Sequence, residues 1–285
     1  MIVSASYRTD IPAFYGSWFL ARLKAGFAVV ASPYGGPPSR ASLARDGASG
    51  VVFWTKNAGP FLEGFDAVRA AGLPFVVQYS ITGLPRNIER SAPAADQAIA
   101  HARALRDRFG PRAVVWRFDP IVISPESPPE ERRTAFATLA SALRGAVDEV
   151  VVSFVQPYAK ARRRMAEVAW RDPPDDEKQA LLRDLAGIAA DHAMKLTLCT
   201  QPDLVDEAAG FGAARCIDAA RLGDLAGSAI AAPTRGNRPG CLCAASRDIG
   251  AYDTCPMGCR YCYAVRDRDR ARRALAEHDS ARERL

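Results

Sequence analysis

Histidine is almost missing from this chain, with three among 285 residues. All three (His101, His192 and His278) fall in helical stretches without metal-ligand spacing. A hydrolase centre built from His and carboxylates at strand ends therefore has little to be made from. No run of about 18 apolar residues exists, which removes a membrane-spanning helix from the expectations. The opening Met1-Ile2-Val3-Ser4-Ala5-Ser6 lacks the basic-then-apolar order of a secretory signal and enters a strand pattern at once, so a cytoplasmic location is expected. There is no tandem repeat, which excludes a repeat array, and no long low-complexity linker. A net charge of +6 gives only a weak pull towards a polyanionic partner, since charge of this size also serves solubility. With 48% apolar and 25% charged residues the composition is that of an ordinary globular protein. The length suits one barrel-sized domain or two small ones.

Cysteine, in contrast, is plentiful. Seven thiols in a chain expected in a reducing compartment argue for metal or redox chemistry rather than a disulfide framework. Three lie in the run Cys255-Pro-Met-Gly-Cys259-Arg-Tyr-Cys262-Tyr. A C-x3-C-x2-C loop suits three irons of a four-iron cluster and leaves the fourth without a protein ligand, a position that electron carriers fill with a fourth Cys. An open metal position implies chemistry. The competing reading is a structural zinc site, with Cys241 or Cys243 as the fourth ligand.

Short β-branched runs alternate with helical stretches, which predicts parallel βα units and an α/β fold. Strands are expected at Ile2–Ser6, Val51–Trp54, Phe75–Tyr79, Ala113–Phe118, Val150–Phe154 and Lys195–Cys199. Phe27–Ala31 is an extra strand or part of an insertion. One helix carries Ile99, Ala102, Leu105 and Phe109 on a face and stops at Gly110-Pro111. Another opens with Ser127-Pro128-Pro129-Glu130, a capping box with Pro at the first helical position, and carries Phe136, Leu139 and Leu143. Six or seven such units suggest a full or partial (β/α) barrel of the TIM type. The body would span residues 1–235, and a Cys-rich segment with a C-terminal helix, 236–285, would complete it.

In parallel barrels chemistry sits at the C-terminal ends of the strands. Those ends read Tyr7-Arg8-Thr9-Asp10, Thr55-Lys56-Asn57, Ser80-Ile81-Thr82-Gly83, Arg117-Phe118-Asp119-Pro120, Gln156-Pro157 and Cys199-Thr200-Gln201. Any single one is explained by helix capping or loop solvation, but the set converges on one rim. The aromatics Trp54, Tyr79, Trp116 and Phe154 near the same ends either line a pocket or fill the core.

With Tyr261 before its last Cys, the loop resembles that of the radical S-adenosylmethionine (SAM) superfamily. The order of Thr55-Lys56-Asn57, Ser80-Ile81-Thr82, Glu89 with Ala92-Pro93, and Arg117 with Pro120-Ile121 is similar to the spore photoproduct lyase branch, as is Arg8-Thr9-Asp10-Ile11-Pro12. The departure is that the cysteine loop comes last here rather than first. A circular permutation would explain this, with a strand near Asp248–Tyr252 lying beside Ile2–Ser6 and a helix at Val265–Arg284. The whole chain also resembles a widespread, uncharacterised bacterial family with this late motif, which brings no substrate with it.

The resemblance implies a [4Fe-4S] cluster on Cys255, Cys259 and Cys262, SAM on the open iron, and a reduced flavodoxin- or ferredoxin-type electron donor. Reductive cleavage of SAM would yield a 5′-deoxyadenosyl radical that takes hydrogen from a substrate, with nucleic acid one candidate. Tyr261 would hold adenine, while Asp10 with Thr9 would receive the SAM ammonium. Lys56 and Ser80 would contact its ribose or carboxylate. Arg117 and Asp119 would face the substrate or pair with each other; with Lys56 and Ser80 they are the candidate catalytic positions.

Four cysteines remain: Cys199, Cys216, Cys241 and Cys243. They suit a second [4Fe-4S] cluster or a zinc ion, or are in part small buried hydrophobes. The Arg-rich runs leave a non-catalytic alternative, a zinc- or cluster-stabilised nucleic-acid-binding protein using Arg162–Arg164 on phosphates. The tail from Arg266 to Arg284, with seven Arg against five acids, reads as a solvated helix face.

Overall fold

The computed structural model describes residues 1–32, 35–156 and 158–285, so Pro157 of the expected Gln156-Pro157 rim lies outside the described residues. In chain order the elements are β1 (Ile2–Ala5), α1 (Ile11–Phe14), α2 (Gly16–Ala25), β2 (Phe27–Val30), β3 (Ser39–Ser42), β4 (Gly50–Thr55), α3 (Leu62–Ala70) and β5 (Phe75–Ser80). Then come α4 (Ala95–Phe109), β6 (Val114–Ile121), α5 (Pro129–Leu143), β7 (Glu149–Phe154), α6 (Ala159–Ala166), α7 (Asp175–Asp191), β8 (Lys195–Leu198), β9 (Gly212–Ala213), α8 (Ala219–Ala226), β10 (Ser246–Asp248) and α9 (Arg268–Ala276).

Eight strands form one parallel sheet in the order β10-β1-β4-β5-β6-β7-β8-β9. Every expected strand is present. The Phe27–Ala31 run is β2, paired antiparallel with β3 in a separate two-stranded sheet, so it belongs to an insertion. The strand expected near Asp248–Tyr252 is β10. It lies beside β1, with Ile2 opposite Ser246 and Ser4 opposite Asp248. The two ends of the chain thus meet in one sheet. The last turns pack on α2 and β2 as well, where Trp18 Nε1 of α2 donates to Arg282 O (2.9 Å) and Val29 N of β2 to Glu283 O (2.8 Å).

Alternation along the strands decides which side chains reach the site, because successive residues point to opposite faces. Odd-numbered Val51, Phe53, Val77, Tyr79 and the even-numbered Trp116, Phe118 and Val152 face the helices and form the main core. The rings of Phe19, Phe53, Phe61, Phe65 and Phe75 interlock edge to face within it. Each such buried side chain contributes about 1.5–3 kcal/mol. Tyr79 and Trp116 are core, not pocket lining. On the opposite face Ile2, Val52, Val76, Val115 and Val151 pack with Cys216, Ile217, Cys243 and Ala244. Continuing that face towards the strand ends brings Trp54, Lys56, Ser80, Arg117, Asp119 and Ser153 to one mouth.

The expected capping box at Ser127 is not formed. α5 begins one residue later, with Pro129 at its first position and no side-chain cap. Ser127 is instead fully buried, its hydroxyl donating to Val122 O (2.9 Å) and bonding Ser124 Oγ (2.9 Å). The turn before the helix takes the hydroxyl that the helix would have used.

Candidate functional site

A cavity of about 880 Å³ opens at the C-terminal ends of the strands. All seven cysteines border it, together with Thr9, Asp10, Lys56, Ser80, Arg117, Asp119 and Tyr261. Residues distant in sequence are therefore brought to one place.

Cys255, Cys259 and Cys262 follow β10 on a loop without regular secondary structure. Other segments hold that loop by its backbone. Ser91 N donates to Met257 O (3.2 Å) and Arg260 N to Ile88 O (3.0 Å), while Glu89 and Cys259 form a single antiparallel bridge. Gly258 has φ +84°, so the turn between the first two thiols needs glycine, and a Cβ there would also press on the Arg268 side chain, with Nε at 2.8 Å. Arg164 is the main clamp. It donates to the carbonyls of Arg260 (3.1 Å), Cys262 (2.5 Å), Val265 (2.8 Å) and Arg266 (2.9 Å). The Arg164 guanidinium, expected on phosphate, is thereby committed to the cysteine loop.

Around the thiols most polar groups are already paired. Lys56 Nζ donates to Glu89 Oε1 (2.7 Å), Tyr261 OH donates to the same oxygen, and the Lys56 ammonium lies 5.7 Å from the centre of the Tyr261 ring. Burial opposes the Lys56 charge, yet Glu89 and Cys259 outweigh it and hold its pKa above the ordinary lysine value. Asp10 caps α1 through Ala13 N (3.0 Å) and accepts from Lys56 N (2.8 Å), so both carboxylate oxygens hold backbone amides. Burial nevertheless lifts its pKa to about 6. Thr9 Oγ1 is buried with no partner among the described residues. Burial pushes the Cys259 thiol up to about 12 and raises Cys255 and Cys262 too, and Cys255 also feels Cys262 and Cys259. A bound metal would reverse this, since thiols bind metals as thiolates.

Arg117 and Asp119 pair at 2.5 Å, and Ser153 Oγ also donates to Asp119. The other arm of Arg117 reaches Gln78 Oε1 (3.1 Å) and Cys216 Sγ (3.1 Å), and its guanidinium lies 5.1 Å from the Trp54 ring centre. Burial raises the Asp119 pKa, but Arg117 outweighs it and the carboxylate stays below its usual value.

The remaining cysteines meet each other. Cys216 Sγ donates to Cys199 Sγ at 3.6 Å, and Cys243 packs in the same cluster with Cys241 against it, its sulfur accepting from Ile217 N (3.3 Å). Contact with Cys243 draws the Cys241 thiol down to about 6. Among the described residues no three Cys, His, Asp or Glu side chains converge on one metal-sized point; the sulfurs meet pairwise.

Several functional neighbours carried no role in the sequence reading. Glu89 was visible only as part of a resemblance, and its buried position as the partner of Lys56 and Tyr261 comes from the fold. Asp248 is a second such case. It accepts from Ser4 Oγ (2.8 Å), Ser6 Oγ (2.7 Å), Tyr7 N (3.0 Å) and Gly250 N (3.0 Å), fixing the strand that leads into the cysteine loop. Its neighbour in the sheet, β1, supplies Ser4, and the two residues just beyond β1 supply the Ser6 and Tyr7 donors, a contact only the pairing of β1 with β10 creates.

The family model described as "Domain of unknown function (DUF1848)" matches residues 2–264. The chain belongs to the DUF1848 family. That match takes in the sheet, the cavity and all seven cysteines of the DUF1848 chain. No curated protein matches. Among solved structures, a dihydropyrimidinase from Brevibacillus agri NCHU1002 is similar at 12% identity and a TM-score of 0.33, over 79% of this chain and 47% of that one. The DUF1848 chain thus spans about half the length of that enzyme, and a likeness at this level carries no argument about chemistry. Among the described residues no helix is long and apolar enough to cross a membrane.

Proposed function

We propose that this DUF1848 protein is a radical SAM enzyme, with a [4Fe-4S] cluster on Cys255, Cys259 and Cys262. The observation that carries the reading is the shared cavity of these three half-buried thiols with Lys56, Ser80 and Tyr261 at the strand ends. The donor set fits such a cluster. The carboxylates nearest the thiols, Asp10 and Glu89, are engaged by amides, Lys56 and Tyr261, which leaves three thiolates from the protein and one iron for a small molecule. When bound, the cluster and SAM would supply a 5′-deoxyadenosyl radical for hydrogen abstraction, given one electron from a reduced flavodoxin- or ferredoxin-type donor.

The protein's own part is binding and orientation. The Tyr261 ring, held by Glu89, offers a flat wall for adenine. The unpartnered Thr9 hydroxyl offers a hydrogen bond, and Lys56 offers positive charge beside the loop. Asp10 acts through the backbone rather than on the ligand, because its oxygens hold α1 and Lys56 N. The Arg117–Asp119 pair, across the cavity, is set to contact the substrate.

We also read the sheet as a permuted (β/α) barrel. Support comes from β10 lying beside β1, from the apolar layer on the inner face, and from a hydrogen bond of Ala244 N to Ile217 O (2.9 Å) between the segments flanking the two edge strands. The test is formation of 5′-deoxyadenosine from SAM by the anaerobically reconstituted, dithionite-reduced protein. The wild type should form it and Cys259→Ala should not. No product from a fully reconstituted wild type would reject the reading and favour a non-catalytic nucleic-acid-binding role.

A further inference from the structure

We infer that Cys199, Cys216, Cys241 and Cys243 form a second and separate metal site, a closed tetrathiolate for a single zinc ion that staples the two edge strands of the sheet. It stands apart from the radical reading, which concerns the other three thiols. Cys199 directly follows β8, Cys216 lies three residues beyond β9, and Cys241 and Cys243 lie just before β10. Between β9 and β10 no strand pairing exists among the described residues. The backbone link there is the hydrogen bond of Ala244 N to Ile217 O, next to the thiols. An edge left this open is a weak place in a sheet, and four thiols gathered on it are suited to close it.

Spacing separates one ion from a cluster. In a tetrahedral site with metal–sulfur bonds of about 2.3 Å, neighbouring sulfurs lie about 3.8 Å apart. In a four-iron cluster each thiolate sits on its own iron, so the cysteine sulfurs stand on the order of 6 Å apart. Cys199 and Cys216 already touch at 3.6 Å, so closing on a single ion asks almost no movement of this pair, whereas a cluster would have to push them apart. Cys243 packs in one cluster with Cys199 and Cys216, Cys241 lies against it, and the amide next to Cys216 donates to Cys243 Sγ, so the four segments are already adjacent and the metal has side-chain torsions left to set.

The surroundings suit a tetrathiolate centre, whose net charge is negative. Arg117 Nη1 lies 3.1 Å from Cys216 Sγ, Arg238 Nη2 3.9 Å from Cys199 Sγ, and Ile217 N donates to Cys243 Sγ at 3.3 Å. Two guanidinium groups and an amide aimed at sulfur are what thiolates want, and neutral thiols are poor acceptors for them. In Cys241-Leu242-Cys243 the middle side chain is exposed while Cys243 is buried, as expected of an extended C-x-C with both sulfurs on one side. Zinc entry would release the thiol protons to solvent, with no change of oxidation state.

The test uses cobalt(II) as the probe on the full chain carrying Cys255→Ala, Cys259→Ala and Cys262→Ala, stripped of metal under reductant. A saturable visible spectrum of a tetrahedral cobalt tetrathiolate is expected, bleached by added zinc and lost when Cys216→Ala or Cys243→Ala is added. If the triple variant does not fold, alkylation mapping on the wild type replaces it. Zinc should slow modification of the four cysteines by on the order of tenfold or more. Absence of both the band and the protection overturns the inference. So does iron with acid-labile sulfide on these four thiols, or a Cys199–Cys216 disulfide in freshly isolated protein. Because the radical loop is removed or ignored in both arms, loss of SAM chemistry leaves this result unaffected.

Discussion

Replacing Glu89 by Ala should be among the most damaging single changes near the cysteine loop. The Glu89 side chain is 4% exposed and that of Lys56 12%, and they are joined at 2.7 Å. Tyr261 donates to the same carboxylate. Removing it leaves a largely buried ammonium without its partner and a partly buried phenol without its acceptor. Breaking a buried pair from one side costs about 3–5 kcal/mol, because the surviving charge keeps its desolvation penalty. Adding Lys56→Met removes that stranded charge, so the double variant should be less destabilised than the sum of the two singles by about 2 kcal/mol or more. Urea unfolding followed by tryptophan fluorescence measures all four corners of the cycle. A Glu89→Ala cost below about 1 kcal/mol, or strict additivity with Lys56→Met, would refute the view that Glu89 and Lys56 form a buried unit under the loop.

Other consequences are equally direct. Gly258→Ala meets both a positive φ and Arg268 Nε at 2.8 Å, whereas Gly145→Ala meets a φ of +75° and open space. The first should therefore cost more, by about 1–2 kcal/mol in thermal unfolding, and should impair iron incorporation while Gly145→Ala does not. Arg164→Met removes donors to four carbonyls of the loop, so hydrogen exchange across residues 260–266 should speed up at least tenfold, about 1.4 kcal/mol of local stability, with strands β4 to β7 unchanged. Ser127→Ala strips a fully buried hydroxyl from Val122 O and Ser124, and should cost about 1–3 kcal/mol rather than the few tenths of an exposed cap.

How far the sequence reached depended on what each element had to bury. The central strands β4 to β8 lie between helices and the inner layer, so they are written in Val, Phe and Leu and can be read directly. β3 (Ser39–Ser42), β9 (Gly212–Ala213) and β10 (Ser246–Asp248) are short or polar and belong to strands only through their neighbours. No local pattern marks them. The meeting of the thiols was legible from number and spacing, since seven cysteines needed a common explanation. Pairing inside the cavity was not. Arg164 looks like one member of a solvated basic run, and nothing nearby in sequence tells that its guanidinium holds the loop of Cys262, some hundred residues later. Asp10 was legible as a rim residue, but its oxygens turn out to serve α1 and the Lys56 backbone, a use set by where β1 and β4 end.

The central claim is that the loop of Cys255, Cys259 and Cys262 holds a cluster with one iron open to SAM. The most direct measurement is low-temperature EPR of the anaerobically reconstituted, dithionite-reduced chain, with and without SAM, beside iron and sulfide quantification. About four irons per chain and a reduced-cluster signal that shifts on adding SAM are predicted. A chain that takes up no iron and sulfide, or a cluster whose signal is indifferent to SAM, would contradict the account.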